Sequence, residues 1–153
     1  MEPLFQPIPT SRFITTFIFN GLFPSPLDIA FQSVSGLSRE LNVTQHSEGG
    51  ENVRNLYFAE KISHGSLTLE RGVITVTPLT MAFEKIMQGQ QIAYADVVIL
   101  LLNHLGLPVC SWTISNALPV RWQTANLDAN ASSIMVNTLE LKYQNMRWRG
   151  IRA

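Results

Sequence analysis

The sequence predicts a mainly β fold: two antiparallel sheets forming a barrel-like sandwich, with one flanking α-helix at about residues 78–88. Three observations predict it. Short segments that alternate apolar and polar residues recur along the chain. A single stretch combines helical spacing with signals at both ends. One apolar run, Val97 to Leu102, has the length of a strand. With 153 residues the chain fits one domain, residues 1–153, and folding at this size buries roughly two-thirds of the extended chain's surface.

In chain order, Arg12 to Asn20 is rich in Phe, Ile and Thr and ends at the turn pair Asn20-Gly21, so it predicts a first strand. Leu22 to Pro26 holds two prolines and cannot be a central strand. Asp28 to Val34 resumes the extended pattern, and Ser38 to Thr44 alternates with Leu41 and Val43 on one face. Gln45 to Asn52 is polar and contains Gly49-Gly50; a long loop or projecting arm is expected over about residues 45–58. Leu67 and Leu69 alternate with Thr68 and Glu70.

The helix follows. Thr77 suits its cap, Pro78 its first position and Gly89 its stop, while Leu79, Phe83 and Ile86 share a face. Val97 to Leu102 is apolar at both parities, which predicts a strand buried on both sides. Cys110, Trp112 and Ile114 alternate as another strand, bent at Leu118-Pro119-Val120 and continued toward Trp122. Leu139, Leu141 and Tyr143 alternate on the parity opposite to Ile134 and Val136, which predicts a bulge near Asn137.

Composition narrows function more than any motif. The chain is 46% hydrophobic but only 14% charged, against about 25% charged in a typical domain. An apolar, charge-poor surface on a small domain points to obligate assembly. Eleven basic residues cancel eleven acidic ones, so no nucleic-acid or membrane partner is announced. Lys142, Arg147, Arg149 and Arg152 cluster at the end without an acid. They read either as a solvated basic tail or, with Trp148 between Arg147 and Arg149, as a dock for another protein. Lone Cys110 and the lack of a basic, apolar leader at Met1 to Phe5 predict cytoplasmic assembly.

No catalytic constellation is evident. His46, His64 and His104 lack metal-pair spacing, so no metal is expected. Gly-x-Ser-x-Gly is absent, and Gly49-Gly50 lacks the lysine and helix of a phosphate loop. Glu48, Glu51 and Glu60 lie in or beside a solvated loop, where acid–base tuning is weak. Catalytic residues and cofactors are therefore expected to be none. Trp112 and Trp122 are better placed for packing than for stacking on a ligand. A small-ligand-binding β-barrel is the competing reading, with Val97 to Leu102 lining its pocket.

Several segments occur in one order from about Phe13 to about Trp148: Val34-Ser35-Gly36-Leu37; Glu48-Gly49-Gly50-Glu51-Asn52; Leu67-Thr68-Leu69-Glu70-Arg71-Gly72-Val73; Trp112 with Asn116-Ala117-Leu118-Pro119-Val120; and Leu139-Glu140-Leu141 with Tyr143. The series resembles the tail-tube, or inner-tube, proteins of contractile phage tails and of phage-tail-like contractile injection systems. The resemblance implies a structural subunit, not an enzyme, in a six-fold ring that stacks on adjacent tube rings. It implies a surrounding sheath, spike and baseplate partners, a lumen able to carry protein or DNA, and no membrane insertion by this chain. It also implies a final place in a phage tail or released particle. Glu48, Gly49, Gly50, Glu51 and Asn52 then become the expected ring-stacking loop, and Arg147, Trp148 and Arg149 a partner dock. The apolar insert Leu22 to Leu27 and the basic end from Met146 depart from the family pattern. Either departure is consistent with a specialised first, tube-initiating ring that joins the tube to the spike or baseplate, as the alternative to the repeating tube protein.

Overall fold

Strand β7, Pro108–Thr124, is 17 residues long and serves two sheets in turn. The computed structural model describes residues 12–19, 31–50, 52–72, 77–90, 93–130, 132 and 135–150. Its other strands are β1 (Phe13–Phe19), β2 (Ser33–Ser35), β3 (Arg39–His46), β4 (Leu56–His64), β5 (Ser66–Gly72), β6 (Ala95–Leu102), β8 (Val136–Lys142) and β9 (Asn145–Gly150), with helix α1 at Pro78–Met87. The first half of β7 lies between β6 and β9, and β1 completes that sheet beyond β6. Its second half pairs with β8, which continues to β5 and β2. Among the described residues every pairing is antiparallel, and β3 and β4 pair only with each other.

The crossing between sheets is built at Asn116, whose φ of 52° lies in the left-handed region. Asn tolerates that region better than most residues, because its short polar side chain bonds locally. Here its N–H donates to Asp96 Oδ1 (3.1 Å) and its Nδ2 to Gln144 Oε1 (3.0 Å). The β6 register slips at this point, and the β8 register slips again between Pro119 and Arg121. The expected bend is therefore present, spread over two irregularities. The extra residue sits in β7: β8 runs along β5 without a slip, from Ser66 opposite Lys142 to Gly72 opposite Val136. The bulge expected near Asn137 is therefore absent: Asn137 pairs in regular register with Arg71 and Thr124, and the slip in the β7–β8 ladder lies at Val120, opposite Glu140 and Leu141. Asn137 itself is buried and accepts a hydrogen bond from Thr124 Oγ1 at 3.0 Å.

Between the sheets lies a core of Phe17, Leu67, Leu69, Val97, Ile99, Ile114, Leu139 and Leu141, among others. α1 closes one end. Thr77 and Thr80 cap it reciprocally, Pro78 opens it, and Gly89 at φ +72° follows its end. Phe83 on α1 is fully buried, with its ring edge-on to Phe17 (6.3 Å) and Trp122 (6.2 Å).

β6 differs from expectation. Val97 and Ile99 are buried, but Val98 and Leu100 face outward and are half-buried. The reason is architectural, since each sheet of a sandwich turns one face to the core. Val97 and Ile99 accordingly pack in the core rather than line a ligand pocket. The sandwich is not closed into a barrel: among the described residues β1 pairs only with β6, and β9 only with β7. Leu22 to Leu27 and Arg152 lie outside the described residues.

Candidate functional site

The β3–β4 hairpin stands away from the sandwich. Every residue of β3 is exposed, and β4 is exposed except at its two ends. It is a pleated ribbon with two different faces. Arg39, Leu41, Val43 and Gln45 alternate onto one face, where Leu41 opposes Ile62, Val43 opposes Ala59 and Gln45 opposes Tyr57. Leu41, Val43 and Ile62 remain 50–51% exposed, so an apolar stripe lies open to solvent. The other face carries the Thr44 hydroxyl donating to Glu60, and His46 edge-on to Phe58 at 5.5 Å. Glu60 and Lys61 together oppose Asn42, and this bulge adds twist. An isolated two-stranded hairpin is marginal in water. This one is held at its root.

At the root, Gly36 adopts φ +86°, and a Cβ there would lie 1.7 Å from the Ser66 carbonyl oxygen. Only glycine allows this approach. Ser38 N–H donates to Gly36 O (2.9 Å) and Gly65 N–H to Ser38 O (3.1 Å), so the entering and leaving chains are tied together. The Tyr143 hydroxyl shares its proton between the same two carbonyls, Gly36 O at 3.1 Å and Ser38 O at 3.2 Å. Arg39 Nη1 donates to Met146 O at 3.2 Å, and the His64 ring lies 5.3 Å from that of Tyr143. Burial pushes the Tyr143 pKa above its usual value, with the Arg39 charge opposing.

At the tip, Ser47, Glu48, Gly49, Gly50 and Asn52 are all exposed, and Gly50 has φ +95°. A Cβ at Gly49 or Gly50 would meet nothing within 4 Å. Glu51 lies outside the described residues. The arm expected at 45–58 is therefore longer, running from Arg39 to His64, with the expected loop at its apex. Alternation on both sides of Gly49-Gly50 was the hairpin signal that could have revealed this. Tyr143, read only as part of a closing strand, is the root clamp; nothing in a linear pattern brings it to Gly36.

The residues of the expected partner dock, Arg147, Trp148 and Arg149, lie on β9. β9 is an edge strand whose alternation sends Arg147 and Arg149 to the outward face with Ser111, Thr113, Val98 and Leu100. Trp148 points the other way, over Gly150 and beside Trp112, and is 56% exposed. Arg147, Trp148 and Arg149 therefore share an edge and not a face. Cys110 is buried, and among the described residues no group of three His, Cys, Asp or Glu side chains could hold a metal. Among them, too, no helix is long and apolar enough to cross a membrane.

Residues 13–147 match the family model described as T4-like virus tail tube protein gp19. Solved structures agree. A chain in the cryo-EM structure of the anti-feeding prophage baseplate, 6-fold symmetrised, is 54% identical over 97% of this chain and 99% of that one, with a TM-score of 0.89. A chain in the structure of the anti-feeding prophage tube-terminating cap is 26% identical, covering 97% and 95%, with a TM-score of 0.80. A crystal structure of an Hcp protein, 10% identical over 90% and 91%, shares the fold with a TM-score of 0.56. No match is found among curated proteins. A model that spans nearly the whole chain, with the same fold throughout, places this protein in the T4-like tail tube family: it is a tube protein of contractile tails and injection systems.

Proposed function

We propose that six copies of this chain close into one ring of the inner tube, near the baseplate, and that the hairpin arm joins ring to ring. The role is structural rather than catalytic. The observation that carries it is the combination of an exposed arm with two sheet edges, β1 and β9, that take no further strand among the described residues. β1, β6, the first half of β7 and β9 alternate in direction, so β9 of one copy meets β1 of the next with antiparallel polarity intact. Edge pairing satisfies backbone groups that would otherwise invite aggregation, and a heterologous contact repeated by rotation closes a ring. At about 4.8 Å per strand, six such sheets enclose a circle roughly 40 Å across, wide enough for a lumen and cargo. Arg147 and Arg149 would then face one side of the joined sheet, with Trp148 packing at the seam.

The ring-stacking role falls to the arm tip, Glu48, Gly49, Gly50, Glu51 and Asn52. Identity of 54% with a chain of the baseplate structure, against 26% with a chain of the cap structure, supports a place near the spike and baseplate. Sheath contacts and a final location in an exported particle follow from the same reading. Mass photometry and electron microscopy test it. Rings of about 100 kDa, six times 17.1 kDa, are expected; monomers alone at micromolar concentration, with and without baseplate partners, would refute it. Deleting Glu48 to Asn52 should leave rings intact but unstacked.

A further inference from the structure

Between the arm's root and the β8–β9 corner lies an open cleft of about 690 Å³. Lys61, His64, Lys142 and Tyr143 are among the polar residues that line it, and no carboxylate takes part. His64 Nδ1 is shielded from solvent and has no hydrogen-bond partner. Buried polar atoms in native proteins are nearly always paired. Two lysines and an unpartnered imidazole nitrogen in one cleft therefore define a site for an acceptor-rich, anionic group.

We infer that this cleft receives the arm tip of a second copy in the adjacent ring, with the Glu48 carboxylate as the anionic group. The inference rests on the reading that the arm joins rings, and it names the surface on which the arm lands. Three observations select this occupant. The tip presents a carboxylate among small residues, Ser47, Glu48, Gly49 and Gly50, all exposed and with open space around both glycines. Such an apex is narrow enough to enter a cleft, whereas 690 Å³ is far more than an inorganic anion fills. Tip and root also lie at opposite ends of β3, whose eight residues span about 26 Å. A tip-in-root contact therefore carries each copy one arm's length beyond the last and repeats without closing, as a stack of rings requires. Lys61 and Lys142 contribute charge-assisted contacts to that carboxylate.

A charge swap tests it, read by tube length in electron micrographs and by ring mass. K61E/K142E and, separately, E48K are expected to melt like the wild type and to form rings, but to shorten stacks at least tenfold. The triple variant E48K/K61E/K142E restores complementarity and is expected to recover stacking. Normal stacking by K61E/K142E, or intact rings of the triple variant that fail to stack, would overturn the inference. If deletion of Glu48 to Asn52 stops stacking while K61E/K142E stacks normally, the arm is a connector but this cleft is not its receptor. If the deletion leaves stacking unchanged, the arm reading falls and this inference falls with it.

Discussion

Replacing Tyr143 with Phe removes one hydroxyl from the root of the arm and leaves the ring in place. That hydroxyl donates to Gly36 O and Ser38 O, and each carbonyl keeps a second partner: the Ser38 N–H on Gly36 O and the Gly65 N–H on Ser38 O. No acceptor is orphaned, so the loss is the net worth of one shared hydrogen bond, about 1–1.5 kcal/mol. At this chain length that lowers Tm by roughly 3–5 °C. The assembly effect is larger than the stability effect. Over an arm about 26 Å long, a root tilt of about 10° moves the tip by roughly 4–5 Å, more than a hydrogen bond tolerates. Y143F should therefore give folded rings that stack poorly, measured by calorimetry and micrographs of the same sample. A second readout is alkaline stability. Burial raises the Tyr143 pKa above 10.0, so the folded state holds this proton more tightly than the unfolded state. The resulting stabilisation is complete below the unfolded value, near 10, and is lost as pH rises from there through the folded value. Melting curves from pH 8 to 11 should show that loss in the wild type and not in Y143F. Wild-type Tm, stacking and alkaline profile in Y143F would refute the clamp.

Three further outcomes follow from the same geometry. Gly36→Ala should yield no soluble folded subunit, since its Cβ would lie 1.7 Å from the Ser66 carbonyl at φ +86°; circular dichroism of a well-folded variant would contradict this. Thr15 is fully buried in β1 with its hydroxyl unpartnered, so Thr15→Val should stabilise the subunit by about 1 kcal/mol, and a fall in Tm would show that the hydroxyl has a partner. Ile99→Asp should abolish folding, because it places an unpaired charge in the core at a cost of several kcal/mol, whereas Leu100→Asp, on the half-buried outward face, should stay folded; equal loss in both would mean β6 is buried on both sides.

Features that depend on neighbours in the chain are legible in the residues alone. Thr77, Pro78 and Gly89 bracket the helix because capping is a matter of a few adjacent residues. Alternation at Leu67 and Leu69 and at Leu139 and Leu141 placed four core side chains, because strand geometry has period two. The ordered segments from Val34 to Tyr143 were enough to reach the family. Which alternating strands have a core to face is settled by long-range packing. Leu41 and Val43 alternate as well as Leu67 and Leu69 do, yet one pair is half exposed on an arm and the other is buried. Periodicity records which side chains share a face, not what lies opposite that face. The same limit hid the outward face of Val98 and Leu100, and it separated Trp148 from Arg147 and Arg149, which are adjacent in sequence but turned apart by the pleat. Tyr143 meets Gly36 across 107 positions. That contact depends on β5 and β8 pairing in one register and on β7 crossing between sheets at Asn116, which are long-range choices made by the packed core and invisible to any local pattern.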